Sequence, residues 1–171
     1  FDLGMLCYSP QVWASDDTDA MERLSIQAGL SYLYPLSTIG AHVSASPNQQ
    51  TLRSTSISTR FNVASFGCLG YELDSKHLTR LERLEVGDQI AFYKSRRRTL
   101  QYGRFSRSVS YKSNKVYWQA ISADQAHGII GSFQTLAQAA EGNDRLPVIG
   151  LQEQAQYRIQ TKSQRVFIRR F

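Results

Sequence analysis

The stretch PQVWASDDTDAMERL (residues 10–24) contains three aspartates within four positions, after a short apolar segment and before a helical pattern. The apolar segment is predicted to be extended. Asp19 precedes the helical pattern and Glu22 follows three positions later. Asp19 is therefore predicted to cap the helix by accepting hydrogen bonds from its first amides. Asp16 and Asp17 require another explanation.

The aspartate-containing stretch lies in the first of two regions, whose periodicity changes near residue 103. Extended segments are expected at 3–8, 10–15, 31–44 and 61–73, and helices at 19–29 and 75–103. Gly87 is a candidate interruption of the last helix. Alternating strands and helices are typical of a parallel α/β unit. A complete β/α barrel needs roughly 250 residues, so this region is interpreted as the final strands and helices of a (β/α)8 TIM barrel.

Downstream of residue 103 the apolar period becomes two, which predicts strands. They are expected in RFSRSVSYKS (104–113), KVYWQAIS (115–122), HGIIGSFQTLA (127–137), RLPVIGL (145–151), AQYRIQT (155–161) and RVFIRRF (165–171). Short strands at this spacing favour an antiparallel β-sandwich. The predicted fold class is therefore α/β plus all-β, with part of a barrel at 1–102 and a β-sandwich domain at 103–171.

Charge and hydropathy argue against two classes of partner. The formal net charge is +6, and much of the basic excess lies in SRRR (95–98) and RVFIRRF (165–171). No RNA-binding signature or recognition-helix pattern accompanies these residues, so they are interpreted as solvated and nucleic acid is not an expected partner. No apolar stretch approaches the roughly 18 residues of a membrane span, so no membrane contact is expected.

Metal sites and disulfides are not expected either. The histidines are scattered along the chain, whereas a zinc site needs His or Cys side chains close together. The aspartate-containing stretch also lacks the turn glycine of a calcium loop. Cys7 and Cys68 lie far apart, and both are predicted to be buried free thiols, which favours a reducing compartment.

Trp13, Asp16 and Asp17 form the candidate site. The residues at the carboxyl ends of barrel strands face the active site, and these three stand at the end of a predicted strand. A tryptophan beside carboxylates suits sugar binding, because the ring packs on the C–H face of the sugar while the acids bind its hydroxyl groups. One carboxylate is also a candidate general acid.

Four segments of the chain carry a family resemblance. They are FDLGMLCYSPQVWASDDTDAMERLSIQAGLSYLYPLSTIGAHVSASPNQQ (1–50), FNVASFGCLGYELD (61–74), QIAFYKSRRRTLQYGRF (89–105) and GLQEQAQYRI (150–159). In this order they resemble the α-galactosidases of glycoside hydrolase family 36, the large melibiases. The block WASDDTDA (13–20) fits the family pattern W-x-S-D-[DN]-T-D-A, and the likeness covers nearly the whole chain.

The resemblance implies retaining hydrolysis of terminal α-galactosides such as melibiose and raffinose, without a cofactor. Within the family pattern, Asp16 takes the position of the proton donor and Trp13 that of a residue lining the galactose subsite. Asp17 is the second choice for a direct role. The segments 31–44 and 61–73 would be the seventh and eighth barrel strands. Bacterial members of this type are commonly homotetramers in the cytoplasm, and both properties are expected of the enzyme to which this chain belongs.

The sequence also departs from the family pattern. The family nucleophile lies in a K-W-D-x-N-like segment, which these residues do not contain. The chain begins at Phe1 and also lacks the upstream acidic and glycine-rich motifs. It is therefore expected to be part of a larger enzyme, with an incomplete C-terminal domain, and to be inactive alone.

Three alternatives remain open at this stage. The chain could be a non-catalytic remnant, or a carbohydrate-binding module that uses Trp13 and Trp118, although Trp118 is predicted to be a core residue. It could also belong to a transglycosylating relative similar to raffinose synthases. His42 matches a family loop after the seventh strand and is open between loop packing and substrate contact.

Overall fold

The computed structural model describes residues 2–109, 114–137, 139 and 146–161. Its helices are α1 (Ala20–Leu30), α2 (Ile57–Ala64) and α3 (Arg80–Tyr102). Its strands are β1 (Gly40–Ser44), β2 (Cys68–Glu72), β3 (Arg104–Val109), β4 (Lys115–Ile121) and β5 (Gly128–Gln134). Short 3₁₀ turns cover Leu3–Cys7, Leu36–Thr38 and Ser75–His77.

The first part of the chain contains three parallel segments. β1 pairs with β2 in parallel, and Val12 forms an isolated parallel bridge with Ile39 on the other side of β1. Two backbone hydrogen bonds of 2.8 Å accompany the bridge, from Val12 N to Thr38 O and from Gly40 N to Val12 O. Parallel neighbours need crossover connections, which α1 and α2 provide. Of residues 10–15, which are predicted to be extended, only Val12 takes part in strand pairing.

The two faces of β1 have different surroundings. Ala41 and Val43 are 0% exposed and belong to the apolar core, where α2 packs against β1 and α1 against α2. α1 contributes Ala20, Leu24 and Ala28 at four-residue spacing, which agrees with the helix predicted at 19–29. Because side chains alternate across a strand, His42 lies on the opposite face of β1. The face of β1 that carries His42 is therefore the one on which a functional site can form.

α3 is one continuous helix of 23 residues. It begins with a capping box in which Thr79 Oγ1 accepts from Glu82 N at 3.2 Å and Glu82 Oε2 accepts from Thr79 N at 2.9 Å. The predicted interruption at Gly87 is wrong. A glycine in a helix costs about 0.5–1 kcal/mol, which is less than the roughly 1.5–3 kcal/mol from burying one large apolar side chain. Tyr93 and Leu100 are both buried on this helix.

Two segments predicted to be extended are partly helical. In the segment 3–8, Leu3–Cys7 form a 3₁₀ turn, in which Asp2 accepts a hydrogen bond from the Gly4 amide. The segment 61–73 begins inside α2, and only its later part forms β2. Ser56 caps α2 by accepting from Thr59 N at 3.1 Å. A short apolar segment fits a helix as well as a strand by periodicity. Here the cap begins the helix, and pairing with β1 makes the later part of the segment a strand. The segment 31–44 forms a strand only at its end, in β1.

The second part of the chain contains an antiparallel sheet in the order β3–β4–β5. This confirms the strands expected within 104–113, 115–122 and 127–137. No strand forms within residues 146–161, so the strands expected there are wrong for the described residues, and the segment 165–171 lies outside them. The described residues thus combine a parallel α/β part with a small antiparallel sheet. The division at residue 102 and the β-sandwich stay predictions.

Trp118 joins the sheet to the first part of the chain. It is 0% exposed, which confirms it as a core residue. Its ring packs edge-on against Phe66, with centroids 5.4 Å apart, and against Phe133 at 5.1 Å. Such pairs add stability beyond the buried area. A buried Trp118 has no surface to offer a sugar, which weakens the binding-module alternative.

Cys7 and Cys68 are free thiols, as predicted. Cys7 is exposed rather than buried, because it ends the 3₁₀ turn at the surface, whereas Cys68 is half-buried on β2. Burial raises the pKa of the Cys68 thiol. None of the described helices combines the length and the hydropathy needed to cross a bilayer.

Candidate active site

Trp13 and Asp16 lie directly after the Val12 bridge, at the carboxyl ends of the parallel segments. The indole Nε1 of Trp13 donates to Asp16 Oδ1 over 2.9 Å. Trp13 is 40% exposed and Asp16 is exposed as well. The structure therefore presents an aromatic ring and a carboxylate side by side on the surface.

His42 packs against the tryptophan from β1. The centroids of the His42 and Trp13 rings are 4.3 Å apart, and their planes differ by 34°. His42 is half-buried on the strand itself rather than on a loop. Burial lowers the pKa of its imidazole and Arg23 acts in the same direction, whereas Glu72 opposes the change. His42 thus supports the Trp13 ring as a side chain of the sheet.

Gly70 lies opposite His42 in the register of β1 and β2. A Cβ atom at position 70 would lie 2.3 Å from His42 Cδ2 and 2.6 Å from His42 Nε2. Both distances are shorter than real contacts allow, so a side chain at position 70 would displace the imidazole. This close approach requires glycine at that position.

Arg23 fixes the loop that carries the aspartates. It lies on α1 and is 2% exposed. Its three guanidinium nitrogens donate to backbone carbonyl groups: Nε to Asp17 O at 2.8 Å, Nη2 to Ser15 O at 2.7 Å and Nη1 to Gly40 O at 3.2 Å. Burial lowers the pKa of Arg23, while nearby carboxylates oppose that effect. The guanidinium stays charged and ties the loop to β1.

Asp17 and Asp19 order the start of α1. Asp19 Oδ1 accepts from Met21 N at 2.8 Å and from Glu22 N at 3.2 Å, which confirms the predicted helix cap. The amide of Asp19 donates to Asp17 Oδ1 at 3.0 Å, so Asp17 takes the place that Glu22 would have in a full capping box. One oxygen of Asp17 is therefore engaged in the loop.

Asp19 also connects α1 to the segment that follows β1. Thr51 Oγ1 donates to Asp19 Oδ2 at 2.9 Å, and Arg53 Nη1 forms an ion pair with Asp19 Oδ1. Burial alone would raise the pKa of Asp19. The hydrogen bonds from Glu22, Thr51, Met21 and Arg53 outweigh burial and hold this pKa below its ordinary value. Asp19 is thus a charged, buried structural carboxylate.

The family follows from comparison with known proteins. The family model for melibiase matches residues 1–103. The model for the glycosyl hydrolase family 36 C-terminal domain matches residues 115–167. This chain belongs to the family 36 melibiases. The family resemblance recognised in the sequence is thereby confirmed.

The chain is similar to several bacterial α-galactosidases. It is 45% identical over 161 residues to α-galactosidase AgaA of Geobacillus stearothermophilus, covering 94% of this chain and 22% of AgaA. It is 44% identical over 165 residues to α-galactosidase 1 of Pediococcus pentosaceus, covering 95% of this chain and 22% of that protein. The chain thus spans about a fifth of the length of these relatives.

A solved structure of AgaA shares the fold of the chain. The crystal structure matches with a TM-score of 0.86 and 46% identity over 89% of this chain and 21% of AgaA. Variants of AgaA have been crystallised in complex with raffinose and with stachyose. These complexes identify oligosaccharides as ligands of AgaA.

The structure joins two of the three predicted site residues in one hydrogen bond, that between Trp13 and Asp16. Asp17 is placed on the same loop, with its Oδ1 directed to the backbone. Sequence reasoning missed Arg23 and the close contact between Gly70 and His42. Arg23 lies three positions after Ala20, on the apolar face of an amphipathic helix. This position in the sequence is the signal that could have predicted its burial.

A separate cleft lies between the segments that follow β1 and β2. Its volume is about 250 Å³, and its lining includes Ser46, Ser56, Arg60 and His77. It includes none of the predicted site residues. The described residues contain no group of three or more His, Cys, Asp or Glu side chains arranged to hold a metal ion.

Proposed function

We propose that this chain is part of a retaining α-galactosidase and supplies its proton donor, Asp16. The observation that carries the proposal is the hydrogen bond of 2.9 Å from Trp13 to Asp16, exposed at the carboxyl ends of parallel segments. Carboxylates at this edge of a barrel face the substrate. Membership of the melibiase family and the names of the α-galactosidase relatives support the same assignment.

The chemistry assigned to Asp16 has two steps. Protonated Asp16 gives its proton to the glycosidic oxygen while the bond from that oxygen to galactose breaks and a nucleophilic carboxylate bonds to the sugar. Asp16 then accepts a proton from the water that releases galactose. The Trp13 indole holds one oxygen of Asp16, which leaves the second oxygen to carry the proton.

Substrate binding is assigned to Trp13 and Asp17. The exposed part of the Trp13 ring offers a flat apolar surface to the C–H face of galactose. Asp17 is the second choice for contact with the sugar, because its Oδ1 already accepts a hydrogen bond from the Asp19 amide. The raffinose and stachyose complexes of AgaA support terminal α-galactosides of oligosaccharides as the substrate class.

The nucleophile is assigned to residues outside these 171. No K-W-D-x-N-like segment occurs in the sequence, and retention requires two carboxyl groups about 5–5.5 Å apart. The 171 residues alone are therefore proposed to lack α-galactosidase activity. Assaying them on nitrophenyl α-galactoside checks this, and turnover near that of AgaA would contradict it.

The decisive substitution is Asp16→Asn in the complete protein encoded by the gene. General acid–base catalysis contributes about 10²- to 10⁴-fold, so kcat on melibiose is expected to fall within that range. Asp88→Asn is the matched control, because Asp88 is exposed on α3. Equal activity of the two variants would remove Asp16 from the mechanism.

The larger architecture is proposed on the same family grounds. The parallel part is assigned to the end of a (β/α)8 barrel and the antiparallel sheet to a C-terminal β-sandwich domain. Support comes from the AgaA structure, which matches this chain with a TM-score of 0.86. A bacterial homotetramer in the cytoplasm stays a prediction, which mass photometry and cell fractionation of the complete protein would test.

A further inference from the structure

The direction of the Asp16 carboxyl group depends on the Trp13 indole. Asp16 is exposed, and the hydrogen bond to its side chain among the described residues comes from Trp13 Nε1 at 2.9 Å. A proton donor must stay within hydrogen-bonding reach of the leaving oxygen. Any group that fixes the indole ring therefore acts on the position of this carboxyl group.

His42 is the aromatic partner of that indole. The two rings are 4.3 Å apart with a tilt of 34°. Both residues are held by backbone pairing in the sheet. His42 lies within β1, and Trp13 directly follows Val12, which forms a bridge with Ile39. The contact therefore connects the exposed loop to a rigid element.

Packing, rather than hydrogen bonding, holds the imidazole. His42 Nδ1 is buried and has no hydrogen-bond partner within the described part of the chain. On β2, the backbone at Gly70 approaches so closely that an added Cβ would lie 2.3 Å from His42 Cδ2. The ring is thus fixed between Gly70 and Trp13, which indicates that its shape matters more than its polar atoms.

We propose that His42 is a positioning residue, seated against Gly70, which aligns the Asp16 carboxyl group through the Trp13 indole. This inference rests on the proposed function, in which Asp16 is the proton donor. His42 thereby supports the aspartate-containing loop without direct contact with the sugar.

The test compares two leaving groups in the complete protein. Nitrophenolate leaves without much help from a proton, whereas the sugar hydroxyl released from melibiose needs the general acid. His42→Ala should therefore lower kcat/KM on melibiose more than on nitrophenyl α-galactoside, on the order of tenfold, since a displacement of 1 Å costs up to about 10²-fold. The ratio of the two values does not depend on how much of the variant folds.

Two further variants separate ring shape from other roles. His42→Phe keeps an aromatic ring, and no hydrogen bond described for His42 is lost. Its ratio of kcat/KM on melibiose to kcat/KM on nitrophenyl α-galactoside should therefore stay within about threefold of the native ratio. Gly70→Ala should change the ratio as His42→Ala does, but it should add nothing in the His42→Ala background, because the clash disappears with the ring. His77→Ala is the control, since His77 is exposed and lines the separate cleft, whose lining includes none of the predicted site residues.

The outcomes distinguish this inference from the function on which it rests. If Asp16→Asn changes the ratio and His42→Ala does not, the positioning role is overturned while the proton donor stands. Additive effects of His42→Ala and Gly70→Ala would also overturn it. If Asp16→Asn leaves the ratio unchanged, the proposed function fails, and the positioning role fails with it.

Discussion

Replacing Arg23 by methionine tests whether a buried cation holds the aspartate-containing loop. The change keeps much of the side-chain volume but removes all three donors to the Ser15, Asp17 and Gly40 carbonyl groups. Each hydrogen bond from a charged donor is worth about 1.5–3 kcal/mol. Their sum is an upper bound, because removing the guanidinium also removes its desolvation cost of several kcal/mol. The expected net loss in free energy of unfolding is about 3 kcal/mol.

Urea unfolding of the complete protein, followed by intrinsic fluorescence, measures this loss. Two matched variants give the order of effects. Arg23→Lys keeps the charge, but its single nitrogen cannot serve three carbonyl groups at once, so it should be intermediate. Arg53→Met removes a half-exposed arginine that pairs with the buried Asp19 and the exposed Glu22. Because the Arg53 guanidinium is largely in water, its loss should cost about 1 kcal/mol, less than the loss in Arg23→Met.

The Arg23 variants should also lose activity, because two of the released carbonyl groups, those of Ser15 and Asp17, lie on either side of Asp16. A further loss of kcat in the fraction that remains folded is therefore expected. An Arg23→Met protein that unfolds at the same urea concentration as the native protein and keeps its kcat would refute the reasoning. The hydrogen bonds of Arg23 would then contribute nothing to stability or to the alignment of Asp16.

Three further predictions concern other parts of the fold. Asp19→Asn keeps the cap acceptor but removes the charge, so it should cost about 1 kcal/mol of stability at neutral pH, while kcat falls far less than in Asp16→Asn. The folded-state pKa of Asp19 is lowered from 3.8. In urea titrations, the stability difference between the native protein and Asp19→Asn should therefore be full above pH 3.8. It should disappear as the pH falls through the lower folded-state pKa. Trp118→Ala should cost about 3–5 kcal/mol in urea unfolding, and Trp118→Phe clearly less, because the buried indole N–H has no described partner; equal losses would contradict this packing. Gly87→Ala should raise the thermal midpoint by stabilising α3 by about 0.5–1 kcal/mol, since nothing lies within 4 Å of the added methyl group; a lower midpoint would contradict an exposed helical position.

Several features could be predicted because the interacting groups are close in sequence. Trp13 and Asp16 are three residues apart, and Asp19 caps amides two and three residues ahead. The strands β3, β4 and β5 follow from the alternation of apolar residues over short segments. In each case a local hydrogen bond or a short period contains the information, so the sequence pattern is sufficient.

Other features were misjudged because two structures fit the same local pattern. The apolar residues of 61–73 satisfy both a helix and a strand, and the cap at Ser56 and the pairing of β2 with β1 divide them. Gly87 is compatible with a break or with a continuous helix, and the buried face of α3 decides for the helix. Burial energy, which depends on neighbours distant in sequence, outweighs the local preference.

The sequence by itself determined the family, the candidate proton donor and the helix cap, because each depends on a few residues in a local order. Only the tertiary structure showed that Arg23 binds the carbonyl groups of the aspartate-containing loop and of Gly40. It also showed that His42 packs between Gly70 and Trp13. Arg23 and Gly40 are 17 residues apart, and His42 meets Gly70 through strand pairing. Such contacts exist only once parallel strands and their crossover helices place distant residues side by side.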